Sequence, residues 1–130
     1  MLYVSLHLPD FSTEGVDVIK PIPKKLLIHT VTRLERTTDR WGEETLKEKE
    51  IIKRVRIEPS NKVVRDKNNA EIQISATLFY DCKNSLPRDI QFAEDDIIVF
   101  NGQKHMVQTI EPLYDGERLH HIEMGLVKHA

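Results

Sequence analysis

The residues best suited to chemistry lie near the C-terminus, where His120, His121 and Glu123 fall close together, with His29 and His105 elsewhere in the chain. Imidazole and carboxylate together are an ordinary donor set for zinc. On an extended strand side chains alternate, so His121 and Glu123 would share one face and His120 would take the other. A metal centre then needs another ligand from across the sheet, such as His105 or His29, and nothing in their spacing brings either one near. Hydrogen-bonded surface histidines are the simpler reading and outweigh it, so no metal and no cofactor is expected. Glu94, Asp95 and Asp96 make an acidic cluster, but it lacks the spaced ligands around a glycine that a calcium loop requires, and it reads as a solvated turn before a strand.

No nucleophile elbow, phosphate-binding loop, dinucleotide glycine fingerprint or HExxH pair occurs. Cys82 is the lone cysteine, with no base beside it in the sequence to activate it and no partner for an internal disulfide. No catalytic residue is expected, and the chain reads as a non-enzyme.

Two other groups suggest binding. Between Pro59 and Glu71 a polar segment carries Lys62, Arg65, Asp66 and Lys67, a basic loop that suits either solvent or a phosphate backbone. It is long for a hairpin connection, and long loops in compact domains tend to be functional. Trp41 at a turn, Phe79 on an otherwise polar strand face, and Tyr3 among Leu2, Val4 and Leu6 are candidates for contact with another protein chain. The competing reading has the N-terminal arm covering Phe79 within one molecule.

The elements that must position these residues are strands. Residues 24–34 are rich in β-branched side chains and place Leu26, Ile28, Thr30, Thr32 and Leu34 on one face. A turn at Asp39–Gly42 follows. Ile51, Val55 and Ile57 alternate into Pro59, which predicts a strand over 49–58, with helical turns over 43–50 or 88–94 as covers for one end. In residues 72–82, Ile72, Ile74, Ala76, Leu78 and Tyr80 alternate with polar neighbours. Asn101-Gly102 predicts a tight hairpin between strands at 97–100 and 104–110, and Asp115-Gly116 a second before Ile122, Met124 and Leu126.

These readings predict an all-β, mainly antiparallel fold: a small barrel of about six strands over residues 21–130, with a long inter-strand loop and an extended N-terminal arm over 1–20. The arm is interrupted by Pro9 and Gly15 and is expected to order on a partner. With 130 residues the chain is long enough for one domain with a real core. A formal charge of −2 argues against the broad basic footprint of a sequence-reading nucleic-acid binder. The N-terminus lacks the basic and apolar regions of a secretory signal, and no stretch is apolar enough to span a bilayer.

Taken in order, PIPKKLLIHTVT (21–32), VRIEPS (55–60), ISATLFYD (74–81), DIIVFNGQKHMVQTIEPLYD (96–115) and LHHIEMGLV (119–127) resemble the phage minor capsid proteins, which are similar to head-completion or stopper proteins of tailed phages and prophages. The resemblance implies a barrel subunit that forms a ring below the portal and adaptor, retains packaged DNA and docks the tail. It further implies that the segment 60–70, with Lys62, Arg65, Asp66 and Lys67, projects into a central channel, in reach of its ring mates or of DNA. The expected location is the virion, assembled in the bacterial cytoplasm, with the isolated subunit free to be monomeric. A tail-completion protein on a similar barrel and a single-strand nucleic-acid-binding barrel are the alternatives. The latter predicts stacking aromatics interleaved with basic residues, and only Phe79 and Tyr80 approach that pattern.

Overall fold

The computed structural model describes residues 20–129. A short 3₁₀ turn, Lys24–Leu26, precedes eight strands: β1 (His29–Thr38), β2 (Glu44–Pro59), β3 (Val63–Arg65), β4 (Glu71–Gln73), β5 (Ala76–Asp81), β6 (Ile97–Phe100), β7 (Gln103–Asp115) and β8 (Arg118–Lys128). Six of them close into a barrel in the order β1-β2-β5-β8-β7-β6, and β3 and β4 pair only with each other. Every pairing is antiparallel. Closure removes the free edges that an open sheet would leave unpaired. The seam is short, running from Thr32 opposite Val99 to Leu34 opposite Ile97.

Alternation fills the interior as expected on β5 and β8. Ala76, Leu78 and Tyr80 meet Ile122, Met124 and Leu126 there, joined by Val31, Ile52, Val55, Ile98 and Val107. Each of the valine, leucine, isoleucine and methionine side chains taken fully from water contributes roughly 1.5–3 kcal/mol. The Tyr80 hydroxyl donates to the carbonyl of Pro87 at 2.6 Å, and burial pushes its pKa up to about 12.

Several expectations are corrected. Residues 24–26 form a turn rather than the start of a strand, and on β1 it is Val31 and Arg33 that point inward while Ile28 is exposed. Arg33 can face in because Glu50 and Asp96 both meet its guanidinium. Burial works against its charge, but these two hydrogen bonds outweigh it and raise the pKa further above the ordinary arginine value. On β2, Ile51 faces solvent while Ile52 and Val55 are buried, because the extra residue Arg54 (φ 60°) bulges out of register with β1 and shifts the alternation.

Neither 43–50 nor 88–94 is helical. The charged segment is instead the start of β2, paired with the far half of β1 in a ribbon whose two faces are both largely wet. Its charges interact across the strands, as in Arg36–Glu44 and Lys49–Glu35. The strand expected over 72–82 is broken at Ile74 and Ser75, where the chain passes from the β3–β4 hairpin into the barrel. Asn101 and Gly102 both have positive φ, as a type I′ turn demands. The β7–β8 turn is centred on Gly116 and Glu117 rather than on Asp115-Gly116, with Asp115 paired to Arg118.

Candidate functional site: two hairpin tips and the cleft between strap and hairpin

The segment 60–70 does not stay an irregular loop. Val63, Val64 and Arg65 pair with Gln73, Ile72 and Glu71, and the resulting hairpin stands on the barrel between β2 and β5. Its root is tied by backbone bonds from Ser60 N–H to the Ser75 carbonyl (3.1 Å) and from Ile74 N–H to the Lys62 carbonyl (2.8 Å).

The tip of this hairpin and the tip of the β1–β2 ribbon are built alike. In each, an aspartate Oδ1 accepts two backbone N–H groups. Asp39 takes those of Trp41 (2.8 Å) and Glu43 (2.9 Å), and Asp66 takes those of Asn68 (2.8 Å) and Ala70 (3.0 Å). In each, the aspartate carbonyl accepts from the residue three positions on, Gly42 (3.0 Å) or Asn69 (2.9 Å), and that residue has positive φ, 81° or 62°. Glycine and asparagine tolerate that backbone best. The two middle residues are thereby held outward: Arg40 and Trp41 at one tip, Lys67 and Asn68 at the other. Trp41 is 78% exposed, with the Arg40 guanidinium 4.8 Å from its ring centre.

The other hairpin charges are partly engaged. Arg65 reaches Glu71 at 3.2 Å and the Asn69 carbonyl at 2.9 Å, while Lys62 reaches Glu111 on β7 at 3.1 Å. Asp66 serves the turn. Lys67 is exposed at the very tip, with no hydrogen bond or ion pair to the described residues.

Beside the hairpin root lies a cleft of about 700 Å³ on the outer face of β2, β5, β8 and β7. Strand register explains its floor. One row across the four strands is Arg56, Phe79, Glu123 and Glu111, and the next is Glu58, Thr77, Gly125 and Thr109. The second row is small in the middle, and Gly125 is required there: a Cβ would lie 2.5 Å from Thr109 Oγ1 and 3.0 Å from Ile74 Cδ1. Ile74 therefore sits directly on the backbone of β8 and seats the hairpin. A glycine inside an alternating strand signals such a close approach.

Phe79 is not a surface residue. It is 1% exposed, packed against Ile22 and Leu27 in a second small core outside the barrel, with Leu26 beside it. Residues 20–27 thus form a strap over the outer face. Ile22 N–H donates to Asp81 Oδ1 (2.9 Å), Asn84 donates to the Ile22 carbonyl (2.8 Å), and Arg56 donates to the Leu26 carbonyl (3.2 Å). The apolar side chain on a polar face is explained within the molecule, by residues that follow the expected arm. Tyr3 lies outside the described residues.

The described histidines serve separate local contacts. His29 accepts the Ile57 N–H on Nδ1 (3.0 Å) and meets the edge of Phe100, with its pKa lowered by burial and then by Arg56. His105 is buried on β7, beside Ile98 and Lys128. His120 departs from simple alternation. It is the extra residue of a bulge against β7, so its ring turns back to His121, with the two Nδ1 atoms 2.8 Å apart. Among the described residues no group of three or more His, Cys, Asp or Glu is placed to hold a metal ion. Burial, followed by Asp81 and Asp89, pushes the Cys82 thiol up, which disfavours its nucleophilic thiolate. Among the described residues, no helix is long and apolar enough to cross a membrane.

The described surface thus offers two tips closed by aspartates, a lined cleft and a strap. No curated protein matches the chain. A family model described as minor capsid protein matches residues 23–126, which include the whole barrel apart from the end of β8.

Proposed function

The chain belongs to the minor capsid protein family, and from that premise we propose that it is a head-completion, or stopper, subunit of a tailed phage or prophage. In this reading copies assemble as a ring below the portal and adaptor, close the head on its packaged DNA and present a docking surface to the tail. The observation that carries it is the β3–β4 hairpin: a two-stranded projection, rooted on the barrel by Ile74 and Gly125 and locked at its tip by Asp66. A rigid arm of this kind suits a ring whose copies must meet near one axis, where a floppy loop would lose entropy on closing.

Ring closure needs two different surfaces on each subunit. The Arg40–Trp41 tip is the exposed aromatic best placed to serve as one of them. Lys67 puts one positive charge at the tip on the channel side for non-specific contact with packaged DNA, with Lys62 and Arg65 behind it held by Glu111 and Glu71. Action is steric and electrostatic, and no bond is made or broken. The ring forms on its template, which leaves the isolated chain free to be monomeric.

The hairpin is tested by particles carrying Lys62→Ala, Arg65→Ala and Lys67→Ala together. Particles that contain the variant but lose packaged DNA faster than the parent support the reading. Particles that contain it and retain DNA as well as the parent contradict a channel role for the hairpin.

A further inference from the structure

The bulge at His120 builds a linear chain of hydrogen bonds from the strap to the barrel. The Lys20 carbonyl meets His120 Nε2 at 2.6 Å, His120 Nδ1 meets His121 Nδ1 at 2.8 Å, and His121 Nε2 meets Glu123 Oε2 at 2.9 Å. The two ends are acceptors: a carbonyl, which never donates, and a carboxylate. Each of the three contacts needs one hydrogen. Two neutral imidazoles carry one each, so two neutral rings and an ionised Glu123 can make only two of the three contacts.

We propose that the His120–His121–Glu123 chain is a site for one bound proton, and that this proton clasps the strap of residues 20–27 onto the barrel. With the extra proton the chain holds an imidazolium and a carboxylate, with no net charge, and all three contacts are made. Without it one contact loses its hydrogen: the Lys20 carbonyl faces a bare His120 nitrogen, the two rings face each other with none, or His121 turns a bare nitrogen to the Glu123 carboxylate, and each leaves the chain from strap to barrel broken at one link. A second extra proton on the rings would place hydrogens on both facing Nδ1 atoms, which repel. The clasp is complete only in the intermediate state.

The surroundings fit a confined charge. His121 is 3% exposed. From β5, Asp81 stands opposite His121 in register, but its carboxylate is taken up by the N–H groups of Ile22, Lys83 and Asn84. From β2 and β7, Arg56 and Glu111 share the cross-strand row of Glu123 and are paired with Glu58 and Lys62. Around His120, Lys83, Arg88, Asp115 and Arg118 line a smaller wet cleft with Pro21 and Cys82. From the strap, Lys20 contributes its carbonyl.

By linkage, a state that binds an additional proton is favoured as pH falls toward the step at which that proton is taken up, and is lost as pH rises through it. The strap covers Phe79, which also floors the main cleft, so release of the proton would loosen the cover of that floor.

The test is imidazole-nitrogen NMR on the full chain from about pH 5 to about pH 9, with amide exchange of Ile22 followed in parallel. The expected result is a pH range in which the pair carries three ring protons. Ile22 protection, corrected for intrinsic exchange, should fall at least about tenfold as the third is lost, while Leu78 in the barrel keeps its protection. His120→Ala should lower Ile22 protection at all pH values and remove its pH dependence. Glu123→Gln leaves both rings in place and should move the loss of the third proton to lower pH, which serves as the test if His120→Ala does not fold. Two ring protons throughout the range, or Ile22 protection in the parent that does not change with pH, would overturn the proposal.

Discussion

The guanidinium of Arg33 on β1 lies 2.8 Å from the carboxylate of Asp96, which immediately precedes β6, so the pair spans the short seam that closes the barrel. Both side chains are nearly buried, at 9% and 5% exposure, and Asp96 also accepts the Ala93 N–H. Removing Arg33 leaves Asp96 without its counter-ion in a dry place. Arg33→Met is expected to destabilise the fold by about 3–5 kcal/mol, read from urea unfolding. The double variant Arg33→Met, Asp96→Asn should recover part of that loss. A single variant as stable as the parent would show that the seam does not depend on the pair.

Gly125 predicts how the hairpin is seated. Gly125→Ala brings a methyl against Thr109 Oγ1 and Ile74 Cδ1. The side chain of Ile74 must give way, and the Gly125 N–H to Thr109 bond (3.1 Å) is disturbed. Destabilisation of about 1–3 kcal/mol is expected, with amide exchange rising most at Ile74 and Val64. Uniform loss of protection over the barrel, with the hairpin no worse than the rest, would refute this seating.

The matched tip turns predict matched effects. Asp39→Ala and Asp66→Ala each remove an acceptor for two backbone N–H groups, and each should cost about 1 kcal/mol or somewhat more. Both tips are exposed and water replaces part of the loss, so the fold survives. Hydrogen exchange should quicken at Trp41 and Glu43 in the first variant and at Asn68 and Ala70 in the second. Unchanged exchange in either would show that its aspartate does not lock the turn.

His29 gives a pH dependence with a definite sign. Its Nδ1 is the acceptor for Ile57 N–H, and burial followed by Arg56 lowers its pKa. The unfolded chain takes the proton first, at about pH 6.5, so the stability His29 contributes is present above that value and is lost as pH falls toward its lower folded pKa. His29→Asn keeps an acceptor but cannot titrate. Between about pH 7.5 and pH 5.5 the parent should lose more thermal stability than this variant. An identical slope in both would remove His29 as the cause.

Much of this architecture is written locally in the chain, and the parts that are not share a reason. Asn101-Gly102 specifies its turn because few other pairs accept two successive positive φ values, and Leu78, Tyr80, Ile122, Met124 and Leu126 fall on the inner face by simple alternation. Bulges break that rule. Arg54 shifts β2 by one position, so Ile51 and Ile52 exchange faces relative to the plain pattern, and His120 turns its ring toward His121 instead of away. Arg33 reads as an outward residue until Glu50 and Asp96 arrive from distant strands. Phe79 reads as exposed until Ile22 and Leu27 fold over it. Each failure of local reading is a contact made by residues far apart in sequence. The hairpin seat left one sign in advance, the glycine at 125 in an otherwise alternating strand.

The proposed completion of filled heads by this chain is read from particle composition and DNA content, comparing phage that make the chain with phage that lack it. The chain should co-purify with portal and DNA-filled heads, and its loss should give heads that leak DNA and carry no tails. Mature particles without the chain, or filled and tailed particles formed in its absence, would contradict it.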